Sequence, residues 1–384
     1  MADQPGPIVD ADGHVLEPAD TWEKYIDPEF RDRAIRIAHD DENREIMLFD
    51  NKPMRSLRGN LGALGGIELE PGELGRLNEE YTYEMGSPPG GYDPAARIAV
   101  LDEEGIDAVL LYPTIGICWE GQVTDPRLAT AYTRAYNRWI ADFCRHDPKR
   151  LYPVAHISLH DPEGAVEEVQ RARKDGCVGV YLSPDPAARA GKQFTDPSLV
   201  RFWETAQDLD MPIGFHVVVR DDPAFNEYSG HGRDSALFFF AFLAIDVMAA
   251  FTHMISSGMF EKYPRLKCSV LEAGCNWIAA WLERMDHKHE VLSSTAPFKL
   301  KPSEYFYRQC LVSADPDEGM TAQVVEHIGA DYVMWASDYP HIDASMGVVA
   351  ELKRNIASLP AESQRKVLGE NVLRFYGISD TAWN

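Results

Sequence analysis

Ile8-Val9-Asp10-Ala11-Asp12-Gly13-His14 reads as a buried strand that ends in polar residues. The apolar pair Ile8 and Val9 opens it, and Asp12 and His14, two positions apart, point to the same side of an extended backbone. A carboxylate and an imidazole held side by side can grip a divalent metal. The same letters also suit a surface turn built on Asp-Gly. The choice therefore rests on whether the rest of the chain supplies similar strand ends.

It does so with a regular rhythm. From Asp93 onward a helical pattern is followed each time by a short apolar run and then by polar residues. Helical stretches 95–104, 125–146, 162–175 and 199–209 lead into apolar runs 107–112, 151–157, 177–182 and 212–217. A Phe-rich helix and its partner through Phe260 precede 266–271, the stretch 275–292 precedes 305–312, and 319–327 precedes 332–336. Counted from Ile8, these are eight short strands alternating with helices, the signature of parallel βαβ units. Eight such units in 384 residues favour a closed (β/α)8 barrel, an α/β fold of the TIM type, spanning 1–384 as a single domain. An open doubly wound sheet is the runner-up, but no G-x-G-x-x-G follows the first strand. A final helix over 361–375 is expected to complete the outer ring.

One segment breaks the rhythm. Residues 16–94 hold several Gly and Pro clusters and are far too long for an ordinary connection after the first strand, so they read as an insertion serving as a lid or interface. Arg55 and Arg58 within it could meet a substrate carboxylate. Trp119, His231 and the Phe238 to Phe242 segment are candidates for the wall of a partly hydrophobic pocket.

Composition narrows the partners. With 45% apolar and 26% charged residues the chain is that of a soluble globular protein, and no apolar run is long enough to span a bilayer. The longest, 236–245, is bracketed by Asp234 and Asp246 and reads as a buried helix. A net charge of -24 opposes nucleic acid and anionic membranes, leaving a small molecule as the better partner. Met1 to Pro7 is short and polar rather than a signal region, which makes the cytoplasm the expected compartment. The six cysteines lack C-x-x-C spacing and read as reduced, buried thiols. Base rates favour a homodimer over other oligomers.

Barrel enzymes carry their chemistry at the C-terminal ends of strands. Here those ends offer Asp12 and His14 on the first strand, His216 on the fifth, Glu272 on the sixth, and Asp338 with His341 on the eighth. Two histidines with two carboxylates suit divalent Zn, Mn or Fe and leave positions open for water and substrate. His156, at the end of the third strand, is a further candidate for orienting substrate.

These motifs, Asp-Ala-Asp-Gly-His14, Gly214-Phe-His216, Leu271-Glu-Ala-Gly-Cys-Asn-Trp277 and Ala336-Ser-Asp-Tyr-Pro-His341, resemble the amidohydrolase superfamily. Their order and spacing are similar to the branch related to aminocarboxymuconate semialdehyde decarboxylase. The resemblance implies one divalent ion, with Asp12, His14, His216 and Asp338 as ligands. The first motif has Asp12 where H-x-H is frequent, and Glu272 stands where decarboxylases of this branch usually carry a proton-transferring histidine. The fourth strand also lacks the lysine of binuclear relatives, so a second ion, held by Glu272, is the lesser expectation.

The expected activity is hydrolysis of an amide, ester, thioester or lactone by metal-activated water. Asp338 or Glu272 would move the proton and His341 would steady an oxyanion. The alternative is nonoxidative decarboxylation of an aromatic or enoic acid, which demands that burial raise the pKa of a carboxyl group enough to protonate carbon. A barrel that binds without catalysing is the remaining class.

Overall fold

In a computed structural model, which describes residues 6–67, 81–219 and 236–379, the chain forms an eight-stranded parallel sheet rolled into a (β/α)8 barrel. Its first strand is β1 (Val9–His14), after which β2 (Arg36–His39), β3 (Glu45–Phe49) and β4 (Lys52–Arg58) lie in the insertion. The barrel continues with β5 (Ala108–Tyr112), β6 (Leu151–His156), β7 (Gly179–Leu182), β8 (Ile213–Phe215), β9 (Cys268–Val270), β10 (Cys310–Ala314) and β11 (Val333–Trp335). Each barrel strand pairs with the next in the order β1-β5-β6-β7-β8-β9-β10-β11. Strands covered on both faces need apolar residues at consecutive positions. Accordingly all five residues of β5 are buried.

The barrel closes between its first and last strands by a few individual bonds. The Asp338 N–H donates to Asp12 O at 3.0 Å and the His14 N–H to Tyr339 O at 2.7 Å. The Asp10 carboxylate accepts from the Ser337 N–H at 2.9 Å and from its hydroxyl at 2.5 Å. These bonds bring the polar ends of β1 and β11 together.

Asp-Pro pairs start many of the outer helices. Asp93, Asp125 and Asp161 each accept from backbone N–H groups at the second or third position of helices Pro94–Glu104, Pro126–Cys144 and Pro162–Lys174. Proline at the first helical position has no N–H to leave unpaired, and its fixed φ suits the turn.

Three elements depart from expectation. The first is the insertion, in which β2, β3 and β4 form an antiparallel sheet of their own. Between β3 and β4 lie Asp50 and Asn51, both at positive φ (52° and 61°). Two such residues between strands make the two-residue hairpin that Asp and Asn tolerate. The second is the stretch expected to be strand from Tyr305, which is helix Pro302–Gln309 before β10 begins. Pro302 occupies its first turn, and the Glu304 side chain accepts from the Lys301 N–H at 2.7 Å. The third is the Phe-rich run. It forms helix Ala236–Ser256, but the later part, with Val247, Phe251 and Met254, is buried, while Leu237 is 79% exposed. The closing segment over 361–375 is helical but includes a π-helical turn at Lys366–Glu370. No helix among the described residues is long and apolar enough to cross a membrane.

Candidate metal centre

Alternation along β1 turns Asp12 and His14 into the barrel mouth, both buried. Gly13 between them has its back to Arg97, and a Cβ there would lie 2.4 Å from Nη2 of that side chain. Arg97 Nη1 in turn donates to His14 O at 2.7 Å. The residue between the two polar side chains must therefore be glycine for Arg97 to brace the strand end.

His216 follows the last residue of β8, Glu272 lies two past the end of β9, and Asp338 lies three past the end of β11. Glu272 (φ 47°) and Asp338 (φ 56°) both occupy the left-handed region. Such backbone costs about 1–3 kcal/mol per non-glycine residue and persists where the surroundings hold it. Two of the site's carboxylates thus sit on strained turns.

The atoms meet closely. His216 Nε2 lies 2.9 Å from His14 Nε2, 2.7 Å from Glu272 Oε2 and 3.4 Å from Asp12 Oδ2. His14 Nε2 is 3.5 Å from both Asp12 Oδ1 and Asp338 Oδ1. The other ring nitrogens are committed, His14 Nδ1 to Pro113 O at 2.9 Å and His216 Nδ1 to Val217 O at 2.8 Å. A carbonyl can only accept, so both Nδ1 atoms carry hydrogens and both Nε2 lone pairs face the same point. One proton on His216 cannot serve three neighbours. Asp12 Oδ1, Glu272 Oε2 and Asp338 Oδ1 are buried and complete no hydrogen bond among the described residues. Converging lone pairs and unpartnered carboxylate oxygens are what a divalent cation satisfies, and mixed imidazole and carboxylate donors suit Mn, Fe or Zn. Asp12, His14 and His216 form one set with ligand atoms within 4.8 Å of one another, and His14, Glu272, Asp338 and His341 form a second.

The electrostatics agree with a site built for positive charge. Burial pushes the Asp12 carboxyl well up, with Glu272 and Asp10 adding to the shift and His216 opposing it. Asp338 is pushed well up by burial and by the Glu272 charge. His14 is held well below its ordinary value by burial and by the neighbouring His341 and His216. His216 goes the other way, to about 9, because Asp12 and Glu272 outweigh its burial. Glu272 is lowered by His216 against its own burial.

His341 comes within 2.8 Å of Asp338 Oδ1 through Nδ1 and meets Thr114 Oγ1 at 2.9 Å through Nε2. The loop that carries Thr114 and Pro113 is itself gripped by Glu17, whose carboxylate accepts from the N–H groups of Thr114, Ile115 and Gly116 at 3.3, 2.8 and 3.2 Å. Sequence reasoning does not single out Glu17 or Thr114, although the Glu-Pro pair three residues past His14 marks where the strand must stop. His156 ends β6 and stands beside Trp119, with ring centroids 5.3 Å apart. Tyr181, likewise absent from the sequence-based set, lies between His156 and His216. The Arg55 and Arg58 side chains and His231 lie outside the described residues.

Residues 9–378 match the amidohydrolase family model. The chain belongs to that family. Among its relatives, the gamma-resorcylate decarboxylase of Polaromonas sp. is 26% identical over 255 residues, covering 64% of this chain and 76% of the relative. An amidohydrolase from Mycobacterium avium subsp. paratuberculosis has a similar structure, with a TM-score of 0.79 at 21% identity over 97% of this chain and 99% of that one. A 5-carboxyvanillate decarboxylase from Novosphingobium aromaticivorans, solved with bound manganese, has a TM-score of 0.70 at 20% identity over 98% and 99% of the two chains. Relatives that are decarboxylases overturn the expectation that this amidohydrolase family member cleaves an amide, ester, thioester or lactone. Two features spoke against decarboxylation: Glu272 in place of a histidine, and the weakness of a carboxyl group as a proton donor to carbon. Burial raises the pKa of the Asp338 carboxyl, which works against the second.

Proposed function

We propose that this chain is a metal-dependent, nonoxidative decarboxylase of a hydroxylated aromatic acid. The observation that carries the reading is the cluster of converging metal-ligand atoms at the barrel mouth, with the buried Oδ1 of the Asp338 carboxyl 3.5 Å from His14 Nε2 at its edge. The decarboxylase relatives supply the reaction class. A divalent ion held by Asp12, His14 and His216, manganese being the first to try, would draw in the substrate carboxylate and offset its charge, leaving the Asp338 carboxyl beside it free to carry a proton.

The protein groups do the rest. The Nδ1 bonds of His14 and His216 fix both rings with Nε2 turned inward. Glu272 reaches within 2.7 Å of His216 Nε2, on the same inward side, and adds its charge to that face of the site. Asp338 delivers its proton to the ring carbon that bears the carboxylate. The bond from that carbon to the carboxylate then breaks, its electron pair returns to the ring, and carbon dioxide leaves. His341, neutral because burial lowers its pKa to about 4, stands 2.8 Å from Asp338 Oδ1 and holds that carboxyl in place, and Asp338 takes its next proton from solvent after carbon dioxide has left.

The test is carbon dioxide release by the manganese-loaded protein over a panel of hydroxybenzoic acids, with the arene product identified. Release with stoichiometric arene supports the reading. A fully loaded protein that releases none from any member of the panel refutes it.

A further inference from the structure

Next to the metal-ligand cluster, the barrel wall contains a second set of buried polar groups that the proposed chemistry does not use. Register places it. His156 on β6 pairs with Tyr181 on β7, and Tyr181 pairs with Gly214 on β8, two residues before His216. Paired residues on neighbouring parallel strands face the same side. His156, Tyr181 and His216 therefore form a continuous arc around the inside of the mouth, with ring centroids 4.7 and 6.0 Å apart in turn. Trp119 and Glu120, from the loop after β5, cap the far end of this arc. Glu120 Oε2 approaches His156 Nε2 to 3.1 Å, at an angle that completes no hydrogen bond, and Glu120 O meets His160 Nε2 at 3.3 Å.

All of these side chains are buried, and Trp119, His156 and Tyr181 are wholly so. Yet Trp119 Nε1, Glu120 Oε2, both ring nitrogens of His156, His160 Nδ1 and the Tyr181 hydroxyl have no hydrogen-bond partner among the described residues. A buried polar group left unpaired costs about 1–3 kcal/mol. Two of the six, His156 Nε2 and Glu120 Oε2, face each other at 3.1 Å, and the other four are still too many for an apolar core and call for something polar in front of them. The set is mixed in a specific way: the indole offers only a donor, the carboxylate only acceptors, and the phenol and imidazole either. A hydroxyl group, which donates once and accepts as well, matches such a wall, whereas a second carboxylate would face Glu120 with like charge.

We propose that this arc is a distal subsite for a hydroxyl substituent of the substrate, on the side of the ring away from the carboxylate bound at the metal. Tyr181 and Glu120 supply the selective contacts. The inference rests on the decarboxylase reading for the pose of the ring.

The test uses the full chain loaded with manganese and two unreactive probes. One is ortho-nitrophenol, whose nitro group stands in for the carboxylate and cannot leave as carbon dioxide. The other carries a second hydroxyl para to the nitro group. Binding is measured by calorimetry for wild type, Tyr181→Phe and Glu120→Gln, with metal content determined for each. Wild type is expected to bind the second probe about tenfold more tightly, as one or two added hydrogen bonds in a buried site allow. Either near-isosteric variant is expected to lose most of that preference while keeping its metal and its affinity for the first probe. Equal binding of the two probes by wild type overturns the subsite and leaves the decarboxylase reading intact. A preference that survives in both variants also overturns the subsite. Failure of the loaded wild type to bind either probe overturns the decarboxylase pose and the subsite with it.

Discussion

The backbone N–H of Asp338 donates to the carbonyl of Asp12 at 3.0 Å, so two of the site's carboxylates are joined through the main chain across the line where the barrel closes. The same line is latched by Asp10, which holds Ser337 by both its N–H and its hydroxyl. The spacing of the site is therefore set by backbone bonds rather than by the ligands' own side chains.

Removing that latch should be felt in two measurements. Asp10→Ala leaves the Ser337 groups unpartnered and takes away a carboxylate close to the buried Arg97. We expect a loss of about 3 kcal/mol in denaturant unfolding. Manganese affinity should drop by about tenfold or more, as for other groups that orient ligands from behind. Unchanged affinity in a folded Asp10→Ala protein would show that the seam does not set the ligand spacing.

His216→Ala removes the nitrogen on which three neighbours converge. Elemental analysis is expected to find stoichiometric metal in the wild type and almost none in the variant. Chelation should lower the wild-type melting temperature and leave the variant unaffected, because a ligand bound only by the folded state stabilises it by mass action.

Asp338→Asn keeps the size of the side chain and removes its proton. At saturating manganese, carbon dioxide release should fall by at least about a hundredfold, the scale of general acid catalysis. Circular dichroism should be unchanged. Normal turnover by the Asp338→Asn variant would move the proton donor elsewhere, with Glu272 next to be tested.

Stability should also vary with pH through Glu17. Burial pushes its carboxyl up from 4.5 to about 7 in the folded chain, against the three backbone N–H bonds. Below pH 4.5 the group is neutral folded or unfolded. Above about 7 it is charged in both states, and the folded one bears the burial of that charge. Stability is therefore expected to decline as pH rises from about 4.5 to 7 and to level off above, by about 3 kcal/mol in all. Chemical denaturation at about pH 5 and about pH 8, on either side of most of this titration, measures the difference, and Glu17→Gln should abolish most of it.

Much of this architecture is legible in the residues themselves. Strands buried on both faces are written as unbroken apolar runs, and the polar residue just past each run points to the mouth, which is why Asp12, His14, His216, Glu272, Asp338 and His341 can be assembled from sequence. What the letters hide acts through the backbone. Glu17 holds N–H groups of a loop and Tyr181 is one aromatic residue among many, and neither has a spacing that distinguishes it. The hairpin at Asp50 and Asn51 is visible in principle, but its short strands mix charged and apolar residues and blend into the surrounding loop. At Tyr305 the preference of aromatic residues for strands points the wrong way, because Pro302 and Glu304 start a helix there. The reaction is harder still to read, since a carboxyl group's strength as an acid depends on burial, and burial is not written at any single position.

On one side β1 pairs with β5, and on the other it meets the far end of the chain by only a few bonds, so the order of synthesis matters. Asp12 and His14 leave the ribosome more than three hundred residues before Asp338. Until β11 and the turn after it emerge, β1 has an open edge and the ligand set is incomplete. A metal site of the kind proposed could therefore form in full only once that last strand has been made, and a product truncated before it would be expected to bind a divalent ion more weakly.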